Sequence, residues 1–297
     1  MNFEEILHLL RTMATNIEPE TLVQLKDHLR NEGNAFALAV DERASNHLLQ
    51  LAQDSMAARQ ALANAMYHSD AMRALFGKVL LSQVLHERSK EEAQFLRLRL
   101  IFLASINLEN ARVVQSSPDL LFVSINTKAN NIELLRIAYN VLRIGDVEVV
   151  ANWLCLLLEG NGTDRTSKED LILMGNIFNV LSLLSIHYGK ILPRYGPMLM
   201  NYFNALMVCG EKVLEAPDRA AFLCSALKFW ALVVDSKEYA DNVHEGLVAK
   251  LENEEPFRNG LIALLHNPRF ELLPLTGDLL FKICDNDCTC LFLILIR

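Results

Sequence analysis

Residue types that carry catalysis are present but dispersed. The eight histidines include no pair spaced four apart, so no helix face offers two imidazoles to a metal. Cys284, Cys288 and Cys290 cluster near the end of the sequence. A tetrahedral zinc site needs four ligands in paired spacing, and no nearby histidine completes this set. The stretch Gly160–Ser167 (GNGTDRTS) is glycine-containing and polar, but lacks the Gly-Lys-Ser/Thr ending of a phosphate cradle. Nucleophile elbows, zincin helices and kinase signatures are missing. Acid pairs such as Glu91/Glu92 and Glu254/Glu255 lie in polar surroundings and read as solvated faces. The expectation is a chain with no catalytic residues, no metal and no cofactor, which is not an enzyme.

The residues that stand out are polar side chains inside the most apolar segments. Arg97 and Arg99 sit in QFLRLRLIFLA, Asn140 in IAYNVLRI, and Asn176 and Asn179 in GNIFNVL. A buried Asn or Arg needs hydrogen-bond partners. Two roles fit. Such side chains line a groove and bind a partner, or they tie neighbouring helix ends together. Arg99, Asn140 and Asn179 are the partner-binding candidates. For the Arg97/Arg99 pair, one exposed and one paired side chain is expected.

These residues must be positioned by helices. The chain has 297 residues, of which 52% are hydrophobic and 22% charged, with only 12 glycines and 8 prolines. A disordered chain would be less apolar, and a β-sandwich would need more turn glycines. Apolar residues recur at helical spacing, as in Ile132, Leu135, Ala138, Tyr139 and Leu142. Five segments resemble one another: 94–106, 132–144, 171–185, 220–234 and 270–285. Each carries an aromatic late in an apolar helix, at Phe102, Tyr139, Phe178, Phe229 and Phe281. Their spacing is on the scale of armadillo or HEAT units of about 40–47 residues. The predicted fold is all-α, an armadillo/HEAT-like helical-repeat superhelix (an α-solenoid), with residues 1–297 forming a single domain. Stacking then buries the apolar helices that no unit covers alone. Loops are predicted at 31–34, 116–118, 128–131, 159–167, 188–197 and 252–256. Helix starts are predicted at 166–170, Ala216-Pro217-Asp218 and Asn267-Pro268.

The net charge of −8 argues against a nucleic-acid binder, which neutralises phosphates with clustered cations. The N-terminal Met1-Asn2-Phe3-Glu4-Glu5 lacks a signal peptide's basic and apolar regions, so a cytoplasmic location with reduced cysteines is expected. Cys155, Cys209 and Cys224 read as small core residues. The apolar stretches 171–184 and 198–208 contain asparagines and fall short of the ~20 residues of a membrane span.

Arg97–Val114 (RLRLIFLASINLENARVV) resembles an early central helix pair of the synembryn family, with Leu98, Arg99, Leu100, Phe102 and Arg112 fitting the pattern. Glu133–Val141 is similar to that family's later helix ending in Phe-Asn-aliphatic, with Tyr139 in place of Phe. Gly277–Cys284 is similar to a near-terminal helix, and Ala35–Ala52 to an early acidic segment and its following helix. The spacing between the early and central matches is shorter than in the family. The resemblance implies a cytosolic armadillo/HEAT-like chaperone and guanine-nucleotide exchange factor for heterotrimeric G-protein α subunits. It implies that the α subunit's C-terminal helix is held in a concave groove. The alternative is a generic armadillo-like scaffold for another protein partner. The sequence ends on Leu291–Arg297 (LFLILIR), where the family continues. An uncapped apolar end is unlike a terminal repeat, so the expectation is an array lacking a C-terminal continuation.

Overall fold

Helix initiation is written into the caps. Asn2, Asn31, Asp41, Ser55, Ser69, Asn107 and Ser167 each precede a helix and accept a hydrogen bond from the backbone two or three residues on, satisfying donors that the first turn leaves free. At Asn2/Glu5 and Ser167/Asp170 the bond is reciprocal, as in a capping box. The structure, a computed structural model, describes residues 1–13, 17–87, 91–123, 126–160, 166–236, 240–266 and 271–284. For residues 91–92 and 240–244 it describes the backbone. Eighteen α-helices and no strand occur among the described residues.

Nine helices lie in one compact unit, residues 1–123 with 136–147. They are α1 (Phe3–Arg11), α2 (Pro19–His28), α3 (Glu32–Val40), α4 (Glu42–Asp54), α5 (Met56–His68), α6 (Asp70–Val79), α7 (Leu81–His86), α8 (Glu91–Ser105) and α9 (Leu108–Gln115). The second unit, residues 124–135 with 148–297, holds α11 (Glu148–Glu159), α12 (Lys168–Leu181), α13 (Tyr188–Val208), α14 (Gly210–Val213), α15 (Ala216–Asp235), α16 (Ala240–Asn253), α17 (Glu255–Leu265) and α18 (Leu272–Ile283). The division falls inside α10 (Lys128–Leu142).

Each unit is built by a helix packing on the one three places later. In the first, α2 packs on α5 and α5 on α8; in the second, α12 packs on α15 and α15 on α18. This is a helical-repeat fold, and four of the five apolar segments predicted to be equivalent supply α8, α12, α15 and α18. The fifth is α10. Two of the equivalent aromatics meet directly, Phe178 and Phe229, with ring centroids 5.6 Å apart. Tyr188 stands edge-on to Phe229 at 5.3 Å, and Phe203 and Phe257 extend the cluster. Burial pushes the Tyr188 hydroxyl's pKa up, and that hydroxyl donates to the carbonyl of Leu181, the last residue of α12.

Asparagines, two of them buried, tie one repeat to the next in the first unit. Asn64 Nδ2 donates to the Lys26 carbonyl at 2.8 Å, Asn110 Nδ2 to the Arg73 carbonyl at 2.8 Å, and Asn140 Nδ2 to Ser105 Oγ at 3.0 Å. The partners lie 38, 37 and 35 residues apart, the length of one repeat. Gly77 leaves the space that the Asn110 amide fills: a Cβ there would lie 1.8 Å from Asn110 Oδ1.

A shorter period runs through α4, α5 and α6. Their caps, Asp41, Ser55 and Ser69, are spaced fourteen residues apart. Four residues into each motif stands Ser45, Arg59 or Arg73. Each donates to a carbonyl seven residues back, on Leu38, Ala52 and Met66, at 2.6–2.7 Å. These carbonyls end the preceding helices, where the last turn leaves acceptors free. No described glycine has positive φ. Side-chain donors therefore do here what a left-handed glycine does in many helix ends, which accounts for the low glycine content.

Several predicted loops are helical. Residues 188–197 lie inside α13, with Pro193 and Pro197 in its interior. Proline already holds the helical φ, and the cost of its missing N–H is offset by burying Tyr188, Ile191, Leu192, Tyr195, Leu199 and Phe203 along one face. Residues 128–131 form the first turn of α10, and Glu32 and Gly33 the first turn of α3. The break at 252–256 narrows to Glu254, with Pro256 in the first turn of α17. Ser167–Asp170 and Ala216-Pro217-Asp218 begin helices as predicted. Asn267-Pro268, residues 161–165, Cys288, Cys290 and Leu291–Arg297 lie outside the described residues. Cys155, Cys209 and Cys224 are half-buried rather than core residues, Cys209 because it caps the end of α13; Cys284 is buried. No single described helix is long and apolar enough to cross a membrane. Among the described residues, only α12 taken with residues 185–208, bent by 96°, reaches the required length and composition.

Candidate functional site

The two arginines of α8 differ by two positions and so point to nearly opposite sides of the helix. Arg97 turns inward and is 5% exposed. Its Nε donates to the Val84 carbonyl at 2.8 Å and a terminal nitrogen to the Leu85 carbonyl at 2.6 Å, closing the C-terminal end of α7. Burial lowers its pKa, and the Glu87 carboxylate opposes that shift. Glu87 also pairs with Arg59 at 2.9 Å. Arg97 is thus a buried, paired side chain.

Arg99 is half-buried rather than exposed, because an aromatic ring covers part of it. Its guanidinium carbon lies 5.6 Å from the centroid of the Phe102 ring, one turn along α8. A second guanidinium, that of Arg136 on α10, lies at the same 5.6 Å from that ring. Each contact is an attraction between cation and ring quadrupole, of order 0.5–1 kcal/mol at a partly exposed site. Beside them, buried Asn140 donates to Ser105 Oγ, and Ser105 donates to the Phe102 carbonyl at 2.7 Å. Arg136 and Asn140 follow the i, i+4 spacing of one α10 face, and exposed Arg143 follows the end of that helix.

Arg99 and Asn140 are therefore brought into one neighbourhood by α8 and the second half of α10. Asn140 acts there as a tie between repeats. Arg136 completes the cationic pair. It was not picked out from the sequence, although its position four before Asn140 was a usable signal. Asn179 belongs to the second unit, half-buried in the last turns of α12, with its backbone carbonyl accepting from Ser182 Oγ at 2.8 Å. Asn176 is buried, and its side chain donates to the Ile172 carbonyl in its own helix.

The chemistry open to the first-unit cluster is recognition. Two guanidiniums around one ring hold two positive charges close together in a chain of net charge −8. Planar guanidiniums present forked donors suited to carboxylates. Among the described residues, no group of three His, Cys, Asp or Glu side chains is placed to hold a metal ion.

Comparison with curated proteins finds no significant match. A family model described as guanine nucleotide exchange factor synembryn matches residues 21–213. That span runs from the start of α2 to the end of α14 and includes the whole cluster.

Proposed function

The chain belongs to the synembryn family of guanine nucleotide exchange factors, and from that premise we propose that it binds heterotrimeric G-protein α subunits as chaperone and exchange factor. The observation that carries the reading is the family match over residues 21–213. The chain works by binding, without covalent chemistry or a cofactor, and in the cytoplasm.

The α subunit's C-terminal helix lies in a helical-repeat groove, its apolar side against apolar helix faces. The chain's Arg99 and Arg136 receive a carboxylate of that helix. Asn140 holds α10 against α8, and Asn179 contributes a further amide contact. Holding the C-terminal helix favours the nucleotide-free form of the α subunit. By linkage, a protein that binds that form better weakens nucleotide binding by the same factor.

The test is release of a fluorescent guanine nucleotide from purified α subunits, with and without the chain. Accelerated release and a complex stable on gel filtration are expected. Unchanged release together with no complex would overturn the reading.

A further inference from the structure

In the second unit, α13 and α16 border a cleft of ≈ 580 Å³, within the size range of small-molecule sites. Its walls are apolar. Leu192 and Met200 are buried, and Pro193 and Pro197 lie between them on the same face of α13. Gly196 faces the cleft, and a Cβ built on it would meet no atom within 4 Å. The open space is thus continuous with the glycine position.

One end of the cleft is polar. Lys250 from α16 is the only charged residue among the described residues that line it, and Asn201 lies beside it. The Lys250 ammonium donates to Glu254 Oε1 at 2.7 Å and to Asn201 Oδ1 at 3.4 Å. An ammonium has three N–H groups, so one direction remains, and the Asn201 amide adds N–H donors. From Leu192 to Asn201, α13 advances about 14 Å at 1.5 Å per residue. An apolar trough of this length ends in an ammonium already paired with Glu254 but with one N–H left, and in one amide, donors from which a carboxylate on a narrow apolar tail can accept.

We propose that this cleft binds a small aliphatic monocarboxylate, its carboxylate on Lys250 and Asn201 and its tail along Leu192, Pro193, Pro197 and Met200. The site lies outside the Arg99–Phe102–Arg136 cluster and does not rest on the exchange reading.

The probe is decanoate, titrated into the full chain while the Met200 methyl resonance and the unfolding temperature are followed. Decanoate shifts the Met200 signal saturably and raises the unfolding temperature. Octanoate binds about fifteen-fold more weakly, at about fourfold per methylene removed from an apolar site. Gly196→Leu, whose side chain enters the open space, unfolds no earlier than the wild type and loses at least tenfold in decanoate affinity. Lys250→Met weakens decanoate at least tenfold and leaves decanol binding unchanged. The proposal fails if decanoate leaves the Met200 signal unmoved. It fails equally if Gly196→Leu binds decanoate as the wild type does, or if decanol matches decanoate on the wild type.

Discussion

Arg97 and Arg99 show how two adjacent-looking arginines take on different tasks. Arg97 supplies charged donors to two carbonyls in a buried setting. Hydrogen bonds from charged groups are worth about 1.5–3 kcal/mol each, and acceptors left unpaired cost more. Arg97→Met should lower stability by about 2–4 kcal/mol in denaturant unfolding. Arg99→Met should cost less, because Arg99 is half-buried where Arg97 is buried, while weakening partner binding. Equal losses of stability would contradict the division of roles. The sequence placed both arginines in an apolar helix and their opposite directions followed from spacing. That Phe102 would cover Arg99, and that Arg136 would join it, depended on the angle between α8 and α10, which no local pattern encodes. Asp170 is a second residue whose role is set by contacts. Burial pushes its carboxyl up, but hydrogen bonds from Lys128 and Ser167 prevail and hold it below the usual value. Its folded pKa lies below its unfolded one, so its contribution is complete above the ordinary aspartate value of about 3.9 and fades as pH falls through the folded value. Asp170→Asn should unfold at lower temperature than wild type at pH 7, with the gap closing below about pH 4. A gap unchanged at acid pH would show that the carboxylate's charge is irrelevant there.

At the scale of elements, what was legible depended on whether local signals agreed. The helix of 168–181 was readable because its capping box and apolar run point the same way. Helix α13 was not, because two prolines and two glycines signal a loop, and only the aromatic face buried against α12, α15 and α17 outweighs them. The fourteen-residue capping period of α4–α6 was present in the sequence but lies below the repeat length at which aromatic segments recur. The two glycines Gly175 and Gly196 separate packing from propensity. A Cβ on Gly175 would sit 2.1 Å from the Phe222 ring, where α12 meets α15. Gly175→Ala should destabilise by about 1–3 kcal/mol through overpacking. Gly196→Ala should stabilise by about 0.5–1 kcal/mol, since it gains helix propensity in open space. Chemical denaturation of both variants checks this; a stabilising Gly175→Ala would mean that the two helices do not approach so closely.

At the scale of the whole molecule, the fold class could be read from composition and recurrence, because stacked helices with side-chain caps need few glycines. The function was not legible in any catalytic motif, and the family match carries it instead. What remains is a thermodynamic consequence that does not depend on which residues make contact. If the chain weakens an α subunit's hold on nucleotide, nucleotide must weaken the α subunit's hold on the chain by the same factor. This reciprocity applies to equilibrium affinities rather than to release rates. Affinity of the chain for α subunit, measured by titration with and without saturating GDP, should therefore fall by the factor by which saturating chain lowers GDP affinity. Coupling of about 1–3 kcal/mol would make that factor roughly 5–150. The combined Arg99→Ala, Arg136→Ala variant should bind more weakly, and the loss should grow as salt is lowered, because charge pairing is least screened there. An affinity for the α subunit that is identical with and without GDP would leave a partner but no exchange factor. It would reduce the family's activity, for this chain, to holding the subunit.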